Sequence, residues 1–274
     1  MFFSAILFIG LGQTQTSMEL LEGARAAWAG KDLVRALELA NKAVAADPTN
    51  KLAYILRGSL FEEKDAYLDA ARDWTKLIEF DPKDSDAFQA RGCLYFKASR
   101  FDDSLADFDK YLELRPEKRK SHWQRGITCY YAGKFDDGKR QFEVYQDFDS
   151  ADVENAVWRF MCMVRKDGLK KAQAEMLKIG DDRRIPMRDI YDLYIGKKTP
   201  AEVLAAAVKG DLKPELKNRQ LFYAHLYLGI WFDLLNERAT ALEHLNKATD
   251  DHRIGHYMWD VARVHRDRLA NIKK

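Results

Sequence analysis

From Ser17 onward, apolar and polar residues mix in helix-length segments separated by short polar turns. The turns read AGKDL, KDAYL, ASRFD and AGKFD, and their shortness predicts antiparallel neighbouring helices. Two markers recur on this pattern with a 34-residue step: Pro48, Pro82 and Pro116, and Gly58, Gly92 and Gly126. A fixed period of this length is the signature of a stacked helical array. The blocks begin at Ser17, Lys51, Ser85 and Arg119. Their eighth positions hold Ala24, Gly58, Gly92 and Gly126, and their twentieth Ala36, Ala70, Ser104 and Gly138. The twenty-fourth holds Ala40, Trp74, Phe108 and Phe142, and the thirty-second Pro48, Pro82, Pro116 and Ser150.

Small residues at eight and twenty let the two helices of a pair approach closely, and larger apolar residues fill the volume around them. Proline ends the second helix, because the residue before it avoids helical geometry. Small residues at eight and twenty, an aromatic at twenty-four and proline at thirty-two resemble the tetratricopeptide repeat (TPR) family. The fold that resemblance implies is an all-α superhelix, an alpha-alpha solenoid.

A fifth block, from Val153, is degenerate: it keeps Gly168 at its turn and Ala172 at position twenty but carries Phe160 at eight. GDDRRIP then breaks the pattern before Met187, and a short helix is expected over 190–194. Thr199, Pro200 and Glu202 read as an N-cap, a first-turn proline and a capping-box glutamate for a helix to about Val208, with a loop over 210–214. The repeat returns from Phe222, with Gly229 at eight and Ala241 at twenty. The predicted organisation is an apolar segment over 1–16, four repeats over 17–152, a degenerate pair over 153–186, an irregular insert over 187–221, a repeat over 222–254 and a capping helix over 255–274. The segments QRGITCYYAGKFDDGKRQFEVYQDF and FYAHLYLGIWFDLLNERATALEHLNKA, in this order around an insert, resemble the NlpI-like bacterial envelope lipoproteins. That resemblance implies an envelope adaptor that dimerises and presents proteins to a protease; the lipid-bearing cysteine of that family is absent from this N-terminal stretch.

Composition changes this picture little. Forty-five basic and 43 acidic side chains give a net charge of +2, which asks for neither nucleic acid nor an anionic membrane. Local basic charge gathers only in the tail, at Arg263, Arg266, Arg268, Lys273 and Lys274. The apolar run over 1–12 resembles the hydrophobic part of a secretory signal, without a preceding basic residue or a clear cleavage triplet, and is too short to span a bilayer. Export to the bacterial envelope or periplasm is the expected localisation, a cytoplasmic protein the alternative, and no stable membrane insertion is expected. Three cysteines, Cys93, Cys129 and Cys162, match no zinc spacing and read as buried free thiols.

Function in such an array lies on the face formed by the first helices. Positions two, five, nine, twelve and thirteen are expected to point into a groove; five, nine and twelve place there Trp28, Ile55, Ser59, Glu62, Gln89, Phe96, Trp123, Ile127 and Tyr130, with Leu21, Arg25 and Cys93 in the same register. The aromatics either mark a partner site or are buried by another part of the chain, and the sequence leaves both readings open. Position seven carries Arg57, Arg91 and Arg125, an arginine ladder. Its structural reading pairs the guanidinium heads with carboxylates such as Asp73 and Asp107; the other reading is an anion-binding stripe. With Tyr54, Phe88 and His122 nearby the ladder imitates a nucleic-acid footprint, but acidic residues are interspersed. His252 and His256 would share a face if one helix spanned both, without an acidic ligand at metal spacing. No phosphate loop or nucleophile motif is present. The expectation is a non-enzymatic adaptor or scaffold for a protein or peptide ligand, without metal or cofactor and with a homodimer as one assembly; a self-assembling structural repeat is the alternative.

Overall fold

A computed structural model describes residues 2–271, and the side chains of 15–271. The side chains of the apolar run over 1–12, and Lys273 and Lys274 of the basic tail, lie outside the described residues. All regular structure among the described residues is helical. The chain divides into two compact units, Met1–Pro116 and Glu117–Lys274.

The first unit holds three antiparallel hairpins: α1 (Phe2–Ala29) with α2 (Leu33–Ala46), α3 (Lys51–Glu63) with α4 (Tyr67–Phe80), and α5 (Ser85–Lys97) with α6 (Phe101–Leu114). Each second helix stops two residues before its proline, at Ala46, Phe80 and Leu114. Asn50 and Asp84 then cap the next first helix, accepting hydrogen bonds from Leu52 N–H and from Asp86 and Ala87 N–H. Inside each hairpin, position fifteen adopts a left-handed conformation at Lys31, Asp65 and Ser99. The N–H of the following residue reaches back to the first helix, as Arg100 N does to Tyr95 O at 2.8 Å. This turn marker repeats as strictly as the prolines, yet the residue types at position fifteen share nothing that betrays it in sequence.

The close approach is direct. A Cβ added at Gly92 would lie 2.7 Å from the Phe108 ring, so position eight is the seat of the aromatic at twenty-four. Ser104 at position twenty donates its hydroxyl to the Gly92 carbonyl at 2.7 Å, securing the same crossing.

The second unit continues the pattern with α7 (Trp123–Tyr131) and α8 (Phe135–Tyr145), where Gly126 is the seat of Phe142. The degenerate block forms α9 (Val153–Asp167) but only a six-residue α10 (Leu169–Ala174) in place of a full second helix. Phe160 explains the loss: it fills the space that position eight leaves open elsewhere and packs edge-on against Tyr194 of α11 (Met187–Tyr194), 5.3 Å away. Helix α12 (Pro200–Ala207) begins with the expected Thr199–Glu202 capping box. The expected boundary at 221/222 falls inside one continuous helix, α13 (Pro214–Leu234), started by its first-turn proline. Helix α14 (Arg238–Asn246) pairs with it, and Lys247–Asp251 adds a π-helical turn. Helix α15 (Tyr257–Asn271) closes the unit.

Candidate functional site

In the first unit α1, α3 and α5 lie side by side, tied by polar contacts between their ends. Trp28 Nε1 donates to the Glu63 carboxylate, and Lys97 Nζ donates to Glu62 at 2.7 Å. Between these ties the stripe is open: Ile55 is 39% exposed, Arg25 is exposed, and Trp28, Ser59, Glu62, Gln89 and Cys93 are half-buried. Cys93 is therefore not the buried thiol expected of it, whereas Cys129 and Cys162 are buried. Leu21 and Phe96 depart from the expected groove. Phe96 has no exposed surface and packs against Phe101 at 5.8 Å, because its place at the end of α5 turns it under the interhelical turn.

In the second unit the corresponding stripe is filled by the chain itself. Ile127 and Tyr130 are 1% and 3% exposed, so neither belongs to an open groove. Tyr130 is enclosed by Tyr131, Phe135 and Trp158, its hydroxyl accepts from Arg165 Nε at 3.2 Å, and burial pushes its pKa up to about 12. Trp123 is half-buried, stacked on His256 and edge-on to Tyr257 at 5.3 Å. The Tyr131 hydroxyl lies 3.0 Å from His265 Nδ1 on α15, and Arg268 donates to the Tyr131 carbonyl oxygen at 3.1 Å. The covering elements are thus α9, which closes on Tyr130, and α15 with the turn before it, which meet Tyr131 and Trp123. A terminal helix carrying Tyr257 and His265, with His256 in the turn before it, is a signal visible in sequence only once the curvature of the array is known.

The arginine ladder is an ion-pair ladder in the first unit. Arg57 grips Asp73 through two hydrogen bonds of 2.9 and 2.6 Å, and reaches Asn41 with its third nitrogen at 3.1 Å. Arg91 repeats this with Asp107 at 2.8 and 2.7 Å and with Thr75 at 3.0 Å. Position seven therefore clamps position twenty-three of its own hairpin and position twenty-five of the preceding one. Burial raises the Asp73 pKa even against Arg57, while the hydrogen bonds that Arg57 donates to Asp73 raise Arg57. The pair thus contributes registry more than net stability, but removing one member strands the other. Asp107→Ala is expected to cost about 3 kcal/mol in urea unfolding; a loss under about 0.5 kcal/mol contradicts this reading. In the second unit Gln141 replaces the acid at position twenty-three and donates to the Arg119 carbonyl oxygen at 2.8 Å, while half-buried Arg125 approaches Cys129 Sγ at 3.8 Å. The ladder continues at Arg159, one 34-residue step beyond Arg125, which bonds Glu143 at 3.0 Å and the Glu175 carbonyl oxygen at 2.7 Å. Reading the fifth block by its lost glycine hid this arginine.

His252 and His256 share no helix face, since the chain between them is irregular. Instead His225 Nδ1 lies 2.9 Å from His244 Nδ1, with His252 stacked on His225 at 5.5 Å. Among the described residues no group of three or more His, Cys, Asp or Glu is placed to hold a metal ion, and no helix is long and apolar enough to cross a membrane.

No protein-family model and no curated protein matches the sequence. Solved structures do match in fold. A tetratricopeptide repeat protein from Parabacteroides merdae is 17% identical, with 94% of this chain and 100% of that chain covered at a TM-score of 0.57. The MamA protein is 14% identical, with 73% of this chain and 99% of that chain covered at a TM-score of 0.52. With its hairpins built on small residues at eight and twenty, this chain has the tetratricopeptide-repeat fold.

Proposed function

We propose that this protein is a non-enzymatic adaptor whose first unit binds an extended or helical segment of another protein across α1, α3 and α5. The observation that carries the reading is the contrast within one repeat register. Positions nine and twelve are half-buried at Ser59, Trp28 and Glu62, beside exposed Ile55 and half-buried Gln89 at position five, whereas in the second unit positions nine and twelve are buried at Ile127 and Tyr130, with Trp158 and Arg165 of α9 on Tyr130. An apolar side chain left exposed among polar neighbours suits the anchor of a peptide ligand. The face has polar groups for orientation in Glu62, Ser59 and Gln89 but no activated nucleophile or paired acid and base.

The resemblance of 124–148 and 222–248 to the NlpI-like envelope lipoproteins favours an envelope protein as partner and the periplasm as compartment, with homodimerisation as that family's habit. Ile55→Asp tests the binding face. Position 55 is exposed on a helix, so stability should change by less than about 1 kcal/mol, while partner recovered with the tagged protein from cross-linked cells falls at least tenfold. Val34→Asp, on the exposed part of α2, should leave recovery unchanged. Equal recovery with all three proteins contradicts the assignment.

A further inference from the structure

Cys129 on α7 and Cys162 on α9 stand in the structure as thiols, both buried. They occupy positions eleven and ten of successive blocks, on two first helices that pack against each other. Their side chains meet over a third helix. A Cβ added at Gly138 on α8 would lie 2.8 Å from Cys162 Sγ and 3.3 Å from Cys129 Cβ. The Cys162 sulfur and the Cys129 Cβ are therefore at most about 6 Å apart. A disulfide sets each sulfur about 3 Å from the opposite Cβ. The gap left to close is at most about 3 Å, within reach of a change of side-chain rotamer.

Two further observations agree. Burial pushes the Cys162 thiol up, and Cys129 beside it adds to the rise, so the two groups sense each other. Position twenty is also smaller here than in any other block. It carries Ala36, Ala70, Ser104, Ala172 and Ala241 elsewhere, and glycine only at Gly138. A methyl group at 138 would collide with the Cys162 sulfur, so the bare α-carbon makes the room in which the two cysteines face each other.

We infer that Cys129 and Cys162 are a disulfide pair, joined when the chain folds in the presence of a small disulfide oxidant, and that the bridge staples α7 to α9. The chemistry is two thiol–disulfide exchanges. One cysteine thiolate attacks a sulfur of the oxidant RSSR, forming a mixed disulfide and releasing one RS⁻. The other thiolate attacks the cysteine sulfur of that mixed disulfide, forming the bridge and releasing the second RS⁻. The two thiol protons end on the released thiolates, and the two electrons lost by the pair are gained by the oxidant. Both sulfurs are closed off in the folded unit, so the first exchange precedes the packing of α7 on α9, and the finished bridge is shielded from reductants. The staple joins the two helices that meet at Tyr130 through Trp158 and Arg165. Half-buried Cys93, in the first unit, remains a thiol.

The test uses the full-length Cys93→Ser protein, which keeps only this pair. It is unfolded in urea, refolded in mixtures of oxidised and reduced glutathione, quenched in acid and digested for mass spectrometry. A species containing the peptides of residues 129 and 162, lighter by two hydrogen atoms than the two together, marks the bridge. The same titration in urea measures the pair in the unfolded chain. Each titration starts once from the reduced and once from the bridged protein, so that its value is an equilibrium. The ratio of oxidised glutathione to the square of reduced glutathione that bridges half the molecules should be at least tenfold lower for the folded protein than for the unfolded chain. Because the equilibria form one cycle, the bridge should lower the unfolding constant in urea by the same factor. A folded-state ratio less than tenfold below the unfolded one overturns the inference. So does a wild-type protein in which Cys93 enters bridges as readily as Cys129 or Cys162.

Discussion

Alanine at position 130 is expected to destabilise the second unit by about 3–5 kcal/mol, the usual cost of deleting a buried aromatic side chain. Tyr130 is 3% exposed and lies within 6 Å, centroid to centroid, of Tyr131, Phe135 and Trp158. The truncation also strips Arg165 of a partner it holds beside Asp233. Hydrogen exchange of α7 and α9 should accelerate accordingly. Tyr130→Phe, which keeps the ring and loses only the hydroxyl, should cost about 1 kcal/mol. Binding by the first unit should survive, since Tyr131, Phe135, Trp158 and Arg165, which enclose Tyr130, all belong to the second unit. An alanine variant within about 1 kcal/mol of wild type means that the stripe of the second unit is open after all.

Acid is expected to weaken the last hairpin through His225. Burial, with the neighbouring His244 and His252 next, depresses its pKa from the ordinary 6.5 to about 4. Burial likewise lowers His244 and His252. Below its ordinary pKa the unfolded chain takes up a proton that the folded hairpin refuses. Stability present above pH 6.5 is therefore lost as pH falls toward the folded value, at about 1.4 kcal/mol per unit of pKa difference. From about pH 7 to about pH 4.5 the loss from His225 should approach 2–3 kcal/mol. Urea midpoints across this range measure it, and His225→Phe should flatten the slope between about pH 6.5 and 5. Equal slopes in the two proteins contradict the assignment to this histidine. Protonating both rings also breaks the 2.9 Å Nδ1 contact between α13 and α14, so the loss should register in their amide protection first.

The hairpins were legible because their determinants are local. Gly92 against Phe108, Pro82 after α4 and the Thr199–Glu202 box act within a single hairpin or less of chain, and each leaves a residue type behind. The ion pairs of Arg57 and Arg91 were legible for the same reason, lying sixteen residues from their acids within one hairpin. What covers the stripe of the second unit was not. Tyr131 meets His265 across 134 residues, and a helix that returns that far is not encoded in any period. The groove register therefore extrapolated too far: Ser59 and Ile127 both stand at position nine, but Ser59 is half-buried and Ile127 is buried. The start of α13 at Pro214 was masked by a repeat frame that begins at Phe222, although the proline itself is a first-turn signal.

The measurement that bears most directly on function is site-specific photocrosslinking in cells. A benzophenone amino acid replaces Ile55 on α3, or Val34 on α2, which is exposed and outside the stripe. The account predicts a discrete protein adduct from position 55 that is absent from position 34, and that disappears when Trp28 on the same face is also changed to alanine. Identical adducts from both positions, or none from position 55 in cells where the partner is recovered by general cross-linking, would contradict a binding face on α1, α3 and α5.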